Sequence, residues 1–295
     1  MFAAMEEQVK LGRYANVLMD RWFKRIFGWR PQKRLMQLFL QELIPERIIT
    51  DINFGPQEYI NPIELGKDIR LDIHCKDRNG AQFVVEVQVA QQDTFYERAI
   101  YNSTFVIQEQ LPPGSTTWAF PQIYFIGIVD FSMHEGSDKV RYRYRLTEID
   151  TGEQMRSQLE YIFLELPNCT KALTPTASRL DNLCYALRNI SKMEEQPVEF
   201  EGEVFDLLFN SAEINKFAPA EKSEYLKDMT TQRDIANQFA FAEKKGMEKG
   251  IEQGIKQGIE QEKISNARSL LQLGVAVDII SKATGLSEQE ILELK

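Results

Sequence analysis

The chain has 295 residues, of which 43% are hydrophobic, 11% aromatic and 27% charged. This is an ordinary globular composition that can bury a core, and it excludes wholesale disorder or a collagen-like repeat. The 35 Lys and Arg against 44 Asp and Glu give a formal charge of −9, so the molecule as a whole repels nucleic acid and anionic membrane, and a polyanion must be met by a local basic patch.

The acidic character of residues 1–10 does not fit a secretory signal, which needs a basic segment followed by an apolar one. The longest apolar stretch, Ile123–Val129, is far short of the roughly 20 residues of a membrane helix. Three cysteines (Cys75, Cys169, Cys184) without a close pair exclude a disulfide framework and a CxxC site and fit a reducing compartment. A cytoplasmic protein without membrane contact is expected.

Asp20 is expected to cap a short helix over residues 21–27, where Trp22, Phe23, Ile26 and Phe27 recur at helical spacing and Gly28 closes the helix in the left-handed conformation. Pro31 suits the first turn of a second helix, whose stripe is Leu35, Leu38, Phe39 and Leu43 and which stops before Pro45. One strand is expected between residues 48 and 60, broken at Gly55-Pro56. Residues 69–76 then alternate, with Ile69, Leu71, Ile73 and Cys75 opposite Arg70, Asp72, His74 and Lys76, and residues 83–89 alternate again. Together these segments predict a hairpin.

A helix is expected over residues 94–111, ending at Pro112-Pro113-Gly114. A doubly buried strand follows at 123–131, then further strands at 140–149 and 159–166, and helices from about residue 177. The order of elements predicts an α/β core with a helical tail.

The hairpin carries the chemistry. If Arg78, Asn79 and Gly80 form a three-residue loop with a left-handed Gly80, Asp77 faces Ala81 and Asp72 lies across from Glu86. Both carboxylates then share one face with Cβ atoms about 4.5–5.5 Å apart, and Gln88 stands next along it. A two-residue loop would put them on opposite faces. Two acids this close call for a cation, and Mg²⁺ fits, since it takes oxygen ligands, keeps waters and is completed by substrate phosphate oxygens. Such an ion supports phosphodiester hydrolysis with few other protein groups. The same spacing equally fits acids that are solvated or paired with neighbours such as Arg70.

Asp72, a short hairpin and Glu86-Val87-Gln88 resemble the D…ExK core of PD-(D/E)XK nucleases in the ExQ form. That form is typical of the PD-(D/E)XK nuclease family transposases, also called recombination-promoting nucleases (Rpn family). The segment Asp20-Arg-Trp-Phe-Lys-Arg-Ile-Phe-Gly28 is similar to the family's D..FK.IFG segment. Residues 71–77 with Asn79-Gly80 and residues 83–88 match its central block, and Phe95-Tyr-Glu-Arg-Ala-Ile-Tyr-Asn102 looks like its following helix. The resemblance spans roughly residues 15–265.

It implies a restriction-endonuclease-like mixed sheet flanked by helices, with helix-strand-strand-strand-helix-strand topology and a helical C-terminal tail. It also implies a Mg²⁺-dependent DNA endonuclease, with Mn²⁺ as a substitute, that promotes recombination or mobile-element transfer. Carried over to this chain, Asp72 and Glu86 would hold the metal with the Val87 carbonyl as a further ligand. Gln88 would occupy the family's Lys position, and Arg98 and Tyr101 would contact substrate. Leu71 stands where the motif's name wants Pro, and a Gln amide at 88 cannot deprotonate water as a Lys can. A further acid from the preceding helix, Glu42 for instance, would complete the set. Lys24, Arg25, Arg30, Lys33 and Arg34, and separately Arg141, Arg143 and Arg145, read as phosphate footprints or as solvated faces balanced by acids.

In the tail, Gly246, Gly250, Gly254 and Gly258 are each followed by Met or Ile, a narrow stripe on a charged helix that suits self-association. The charged flanks rule out a membrane GxxxG helix. Residues 266–273, 277–284 and 287–294 read as three short helices, and residues 278–291 among them are similar to a helix-turn-helix with Gly285 at the turn and Ser287 as cap. The acids Glu288, Glu290 and Glu293 favour protein contact over DNA. The expected organisation is a nuclease-like domain over 1–225, a charged helical linker over 226–264 and a small helical module over 265–295. The competing expectation is a catalytically weak nuclease fold that acts as an oligomerising interaction module.

Overall fold

The computed structural model describes residues 11–60, 67–111 and 113–294, and of Arg30 only the backbone; the segment judged for a signal peptide, residues 1–10, lies outside the described residues. The first apolar stripes form α1 (Asp20–Phe27) and α2 (Lys33–Leu43), joined by a 3-10 turn at Arg30–Gln32. Asp20 does not cap α1. Met19 occupies the cap position, and the Asp20 carboxylate turns instead to Lys24 one turn on. Gly28 is not left-handed either, with φ −97°. Its missing Cβ serves close approach, since a Cβ there would stand 3.2 Å from Ile73 Cγ1.

Residues 48–60 give two short strands, β1 (Ile52–Phe54) and β2 (Glu58–Tyr59), because Pro56 has no amide with which to continue one ladder. β3 (Ile69–Arg70) pairs with β2 in a separate ribbon, and a bend at Leu71 and Asp72 divides it from β4 (Ile73–Asp77). The continuous strand expected over residues 69–76 is therefore broken. Ile69 and Leu71 pack in one apolar cluster while Ile73 and Cys75 pack in the other, so alternation runs on through the kink.

β5 (Gln82–Gln88) follows a three-residue loop in which Gly80 has φ +84°. Asp77 ties the loop down, its Oδ1 accepting from the Asn79 and Ala81 amides at 2.9 Å each. The resulting pairs, Ile73↔Val85 to Lys76↔Gln82, keep the register that this loop length predicts.

α3 (Phe95–Glu109) crosses over one face; Pro112, where its end was expected, lies outside the described residues. β6 (Ile123–Val129) is buried throughout, followed by β7 (Arg141–Tyr144) and β8 (Leu159–Glu165). The mixed sheet has order β1-β4-β5-β6-β8-β7, with β5, β6 and β8 parallel. α1 and α2, with α4 (Arg179–Asn189) and α5 (Glu203–Ala212), cover one face around Phe23, Phe39, Val85 and Ile126. α3 covers the other with Phe95, Ala99 and Val106. This is the α/β sheet flanked by helices that the sequence implies.

Contacts divide the chain into Met1–Ser223 and Glu224–Lys295. The 54-residue α6 (Pro219–Gln272) absorbs the first of the three short helices expected in the tail. Its end packs with α7 (Val277–Thr284) and α8 (Glu288–Leu292) around Ala267, Ile280, Leu286 and Ile291. Gly285 is left-handed at φ +76°, and Ser287 caps α8 in a box with Glu290. Among the described residues no helix is long and apolar enough to cross a membrane.

Candidate active site

The bend before β4, the end of β5, and one face each of α1 and α3 enclose an open cleft of about 900 Å³. Asp72 and Glu86 form its floor. Each carboxylate is tied to the opposite strand: Glu86 Oε1 accepts from the Asp72 amide at 3.2 Å, and Asp72 Oδ2 accepts from the Val87 amide at 2.8 Å. They are 8% and 6% exposed, so neither charge is hydrated as it would be on an outer face. Burial and then the neighbouring Asp72 charge push Glu86 up to about 8. Burial also raises Asp72, against the opposing Val87 amide.

Lys24 reaches this floor from α1. Its Nζ lies 3.0 Å from Asp72 Oδ1 and 2.6 Å from Asp20 Oδ1. Burial works against the ammonium, but hydrogen bonds to Asp20 and Asp72 hold its pKa above the ordinary lysine value. Burial likewise works against Asp20, yet its bonds to Lys24 and Asp72 keep it below the usual carboxylate range. Of the other acids that line the cleft (Asp20, Asp68 and Glu97), Asp20 is the one joined to Asp72 through Lys24. Glu42 is elsewhere, paired with Arg179 at 3.0 Å. Asp20 and Lys24 stand four residues apart on one helix face, and that spacing was the signal that could have found Asp20.

Gln88, Arg98 and Tyr101 line the same cleft. Arg98 Nη2 donates to Gln88 Oε1 and Nη1 to Gln92 Oε1 at 2.9 Å, while Gln88 Nε2 donates to the Ala90 carbonyl at 2.8 Å. Tyr101 donates its hydroxyl proton to the Lys67 carbonyl at 2.9 Å. Arg70 does not neutralise the acid pair; it bonds Glu58.

The expected phosphate footprints are largely spent inside the fold. Arg25 pairs with Glu221, Lys33 with Asp51 and Arg34 with Glu203. Arg143 and Arg145 converge on the buried Glu160, and Arg141 donates to the Leu43 carbonyl. Among the described side chains of these two clusters, Lys24 alone lines the cleft at Asp72 and Glu86.

Among the described residues no cluster of three or more His, Cys, Asp or Glu is arranged to hold a metal. What this part of the cleft could offer an ion is two buried carboxylates and nearby backbone, a set that would suit a hard cation keeping waters and taking substrate oxygens rather than an all-protein cage. By sequence, the model of the PD-(D/E)XK nuclease family transposases matches residues 17–242. No curated protein and no solved structure matches the chain.

Proposed function

The chain belongs to the PD-(D/E)XK nuclease family transposases, and from that premise we propose that it is a Mg²⁺-dependent DNA endonuclease whose cuts promote recombination or mobile-element transfer. The observation that carries this reading is the pair of buried carboxylates, Asp72 and Glu86, cross-tied over one hairpin. They would hold Mg²⁺ or Mn²⁺, with the Val87 carbonyl as a further donor. When bound, the ion polarises the phosphodiester and acidifies a coordinated water.

The chain's own residues supply the rest. Lys24 brings positive charge to the acid pair, which a Gln at 88 cannot supply, and Asp20 holds that ammonium in place. Arg98 and Tyr101 bind substrate from the α3 side, where Arg98 serves a phosphate as a charged fork. The testing experiment is plasmid cleavage by the purified chain in Mg²⁺ and in Mn²⁺, with Glu86→Ala run alongside. Nicking by the wild type and not by Glu86→Ala supports the site, whereas equal nicking by both refutes it.

A second reading, a weak nuclease fold that works as an assembly module, is favoured by α6. Met247, Ile251, Ile255 and Ile259 are each more than half exposed, and nothing lies within 4 Å of a Cβ built on the four glycines preceding them. Each helical Gly costs about 0.8–1.0 kcal/mol relative to Ala, and among the described residues nothing packs close to these four to justify it. We therefore read residues 226–264 as a linker helix that joins copies of the chain, residues 265–295 as a small contact module, and residues 1–225 as the nuclease-like domain. Absence of cleavage, with an oligomer that dissociates in the Ile251→Glu/Ile255→Glu variant, would select the second reading. Three free, buried cysteines suit action on DNA in the reducing cytoplasm.

A further inference from the structure

We infer that Gln88 is a positioning residue, an amide strut that fixes the Arg98 guanidinium at the end of β5 as a phosphate-binding cation of the cleft. The inference rests on the nuclease reading above; it keeps Arg98 as a phosphate contact and gives Gln88 the work of holding it.

The hydrogen bonds carry the argument. Gln88 Nε2 is anchored on the Ala90 carbonyl at 2.8 Å, so the amide cannot flip and its Oε1 is aimed at Arg98. Arg98 is gripped from both arms, by Gln88 Oε1 on Nη2 and by Gln92 Oε1 on Nη1. Both acceptors are neutral amides. Arg25, Arg34, Arg47 and Arg143 are instead each neutralised by a carboxylate. Among the described residues no carboxylate is hydrogen-bonded to Arg98, although Glu86 in the same cleft feels its charge, so the guanidinium is oriented by neutral groups and keeps N–H donors with which to meet a phosphate oxygen. Its ring contact fits the same picture, with the guanidinium carbon 5.1 Å from the Phe95 ring centre, so that one face is backed and the edge is left for a ligand.

A Lys at 88, the residue the motif carries elsewhere in the nuclease fold, would set an ammonium against this guanidinium. Positions 88 and 98 are therefore coupled: a Gln at 88 goes with an Arg at 98, and adding a cation at 88 displaces the cation at 98.

The test is binding of a fluorescent duplex oligonucleotide by the full chain in EDTA, where nothing is cut, at several salt concentrations. Each phosphate contact contributes about 0.9 to the slope of log affinity against log salt. Arg98→Met is expected to weaken binding about tenfold and to lower the slope by about one. Gln88→Leu removes no charge, yet is expected to lower the slope by about the same amount because Arg98 is released. Gln88→Lys adds a charge and is expected to bind more weakly than wild type, and Gln88→Lys/Arg98→Gln is expected to recover most of the loss. A merely structural role for Gln88 would change affinity without changing the slope.

An unchanged slope in Gln88→Leu, tighter binding by Gln88→Lys, or no DNA binding by the wild type would overturn the inference. Should Gln88→Leu fail to fold, the Gln88→Lys and double variants decide alone. A wild type that shows the predicted slopes but cuts nothing in any divalent metal would sink the nuclease reading and leave the strut. A wild type that cuts, with slopes indifferent to position 88, would sink the strut only.

Discussion

Lys24 on α1 and Asp72 at the bend before β4 form an ion pair of 3.0 Å inside the cleft, although they lie 48 residues apart in the chain. The ammonium stands where two buried acids need a cation if they are to stay ionised. It is delivered by packing, because Gly28 lets the end of α1 press against Ile73, the residue next to Asp72.

Replacing Lys24 should therefore separate two properties that usually fall together. The ammonium and a divalent ion compete for Asp72, so Lys24→Met is expected to bind Mn²⁺ several-fold more tightly by calorimetry. The same variant is expected to cleave plasmid about 100-fold more slowly, because charge at the scissile phosphate is lost. Weaker Mn²⁺ binding by Lys24→Met would show that the lysine helps to build the metal site and does not compete with it.

Glu86 gives a dependence on pH. Its folded pKa of about 8 lies above the ordinary carboxylate value of 4.5, so the folded chain holds this proton more tightly than the unfolded chain. The associated stability is fully present below the ordinary carboxylate value and is lost as pH rises through about 8. Thermal stability of the metal-free protein should fall between about pH 5 and pH 8, and Glu86→Gln should remove most of that fall. Metal must also expel the proton, so apparent Mn²⁺ affinity should rise by up to about tenfold per pH unit below about pH 8 and then level off. A flat affinity profile over this range would contradict the assignment.

Much of this site was legible in the sequence. The period of two in residues 83–88 and the turn residues Asn79-Gly80 set the hairpin register up to Ile73↔Val85, and one residue beyond it Asp72 meets Glu86 and Val87 through hydrogen bonds. The kink at Asp72 was not legible. Ile69, Leu71, Ile73 and Cys75 alternate without a break because both faces of the sheet are covered by helices and each accepts an apolar residue. The place of Asp20 was hidden differently. A helix-starting Asp looks like a cap; its spacing of four from Lys24 shows that the two share a helix face, and the tertiary placement of α1 then turns that face to the cleft.

The register itself can be broken on purpose. Deleting Asn79 leaves a two-residue connection, and a shift of one residue exchanges the faces of a strand. Asp77 would also lose the Asn79 amide from its carboxylate. The deletion is expected to abolish Mn²⁺ binding while the helical circular dichroism of α6 persists. Retained binding at wild-type affinity would mean that the opposition of Asp72 and Glu86 is not what holds the ion.

Gly28→Ala tests whether packing of α1 delivers Lys24. The backbone angles at Gly28 accept an Ala, but the added Cβ would stand 3.2 Å from Ile73 Cγ1 and 2.8 Å from the Lys24 carbonyl. Because the second neighbour is backbone, the helix end must shift. Crowding of this kind costs about 1–3 kcal/mol, readable as a lowered midpoint in thermal unfolding. The shift also moves Lys24 relative to Asp72, so cleavage is expected to fall further than the lost stability accounts for at a temperature where the variant is fully folded. Mn²⁺ affinity should change less than cleavage, because Asp72 and Glu86 remain tied to each other across the hairpin. If cleavage by folded Gly28→Ala equals that of wild type, the position of Lys24 does not depend on this contact.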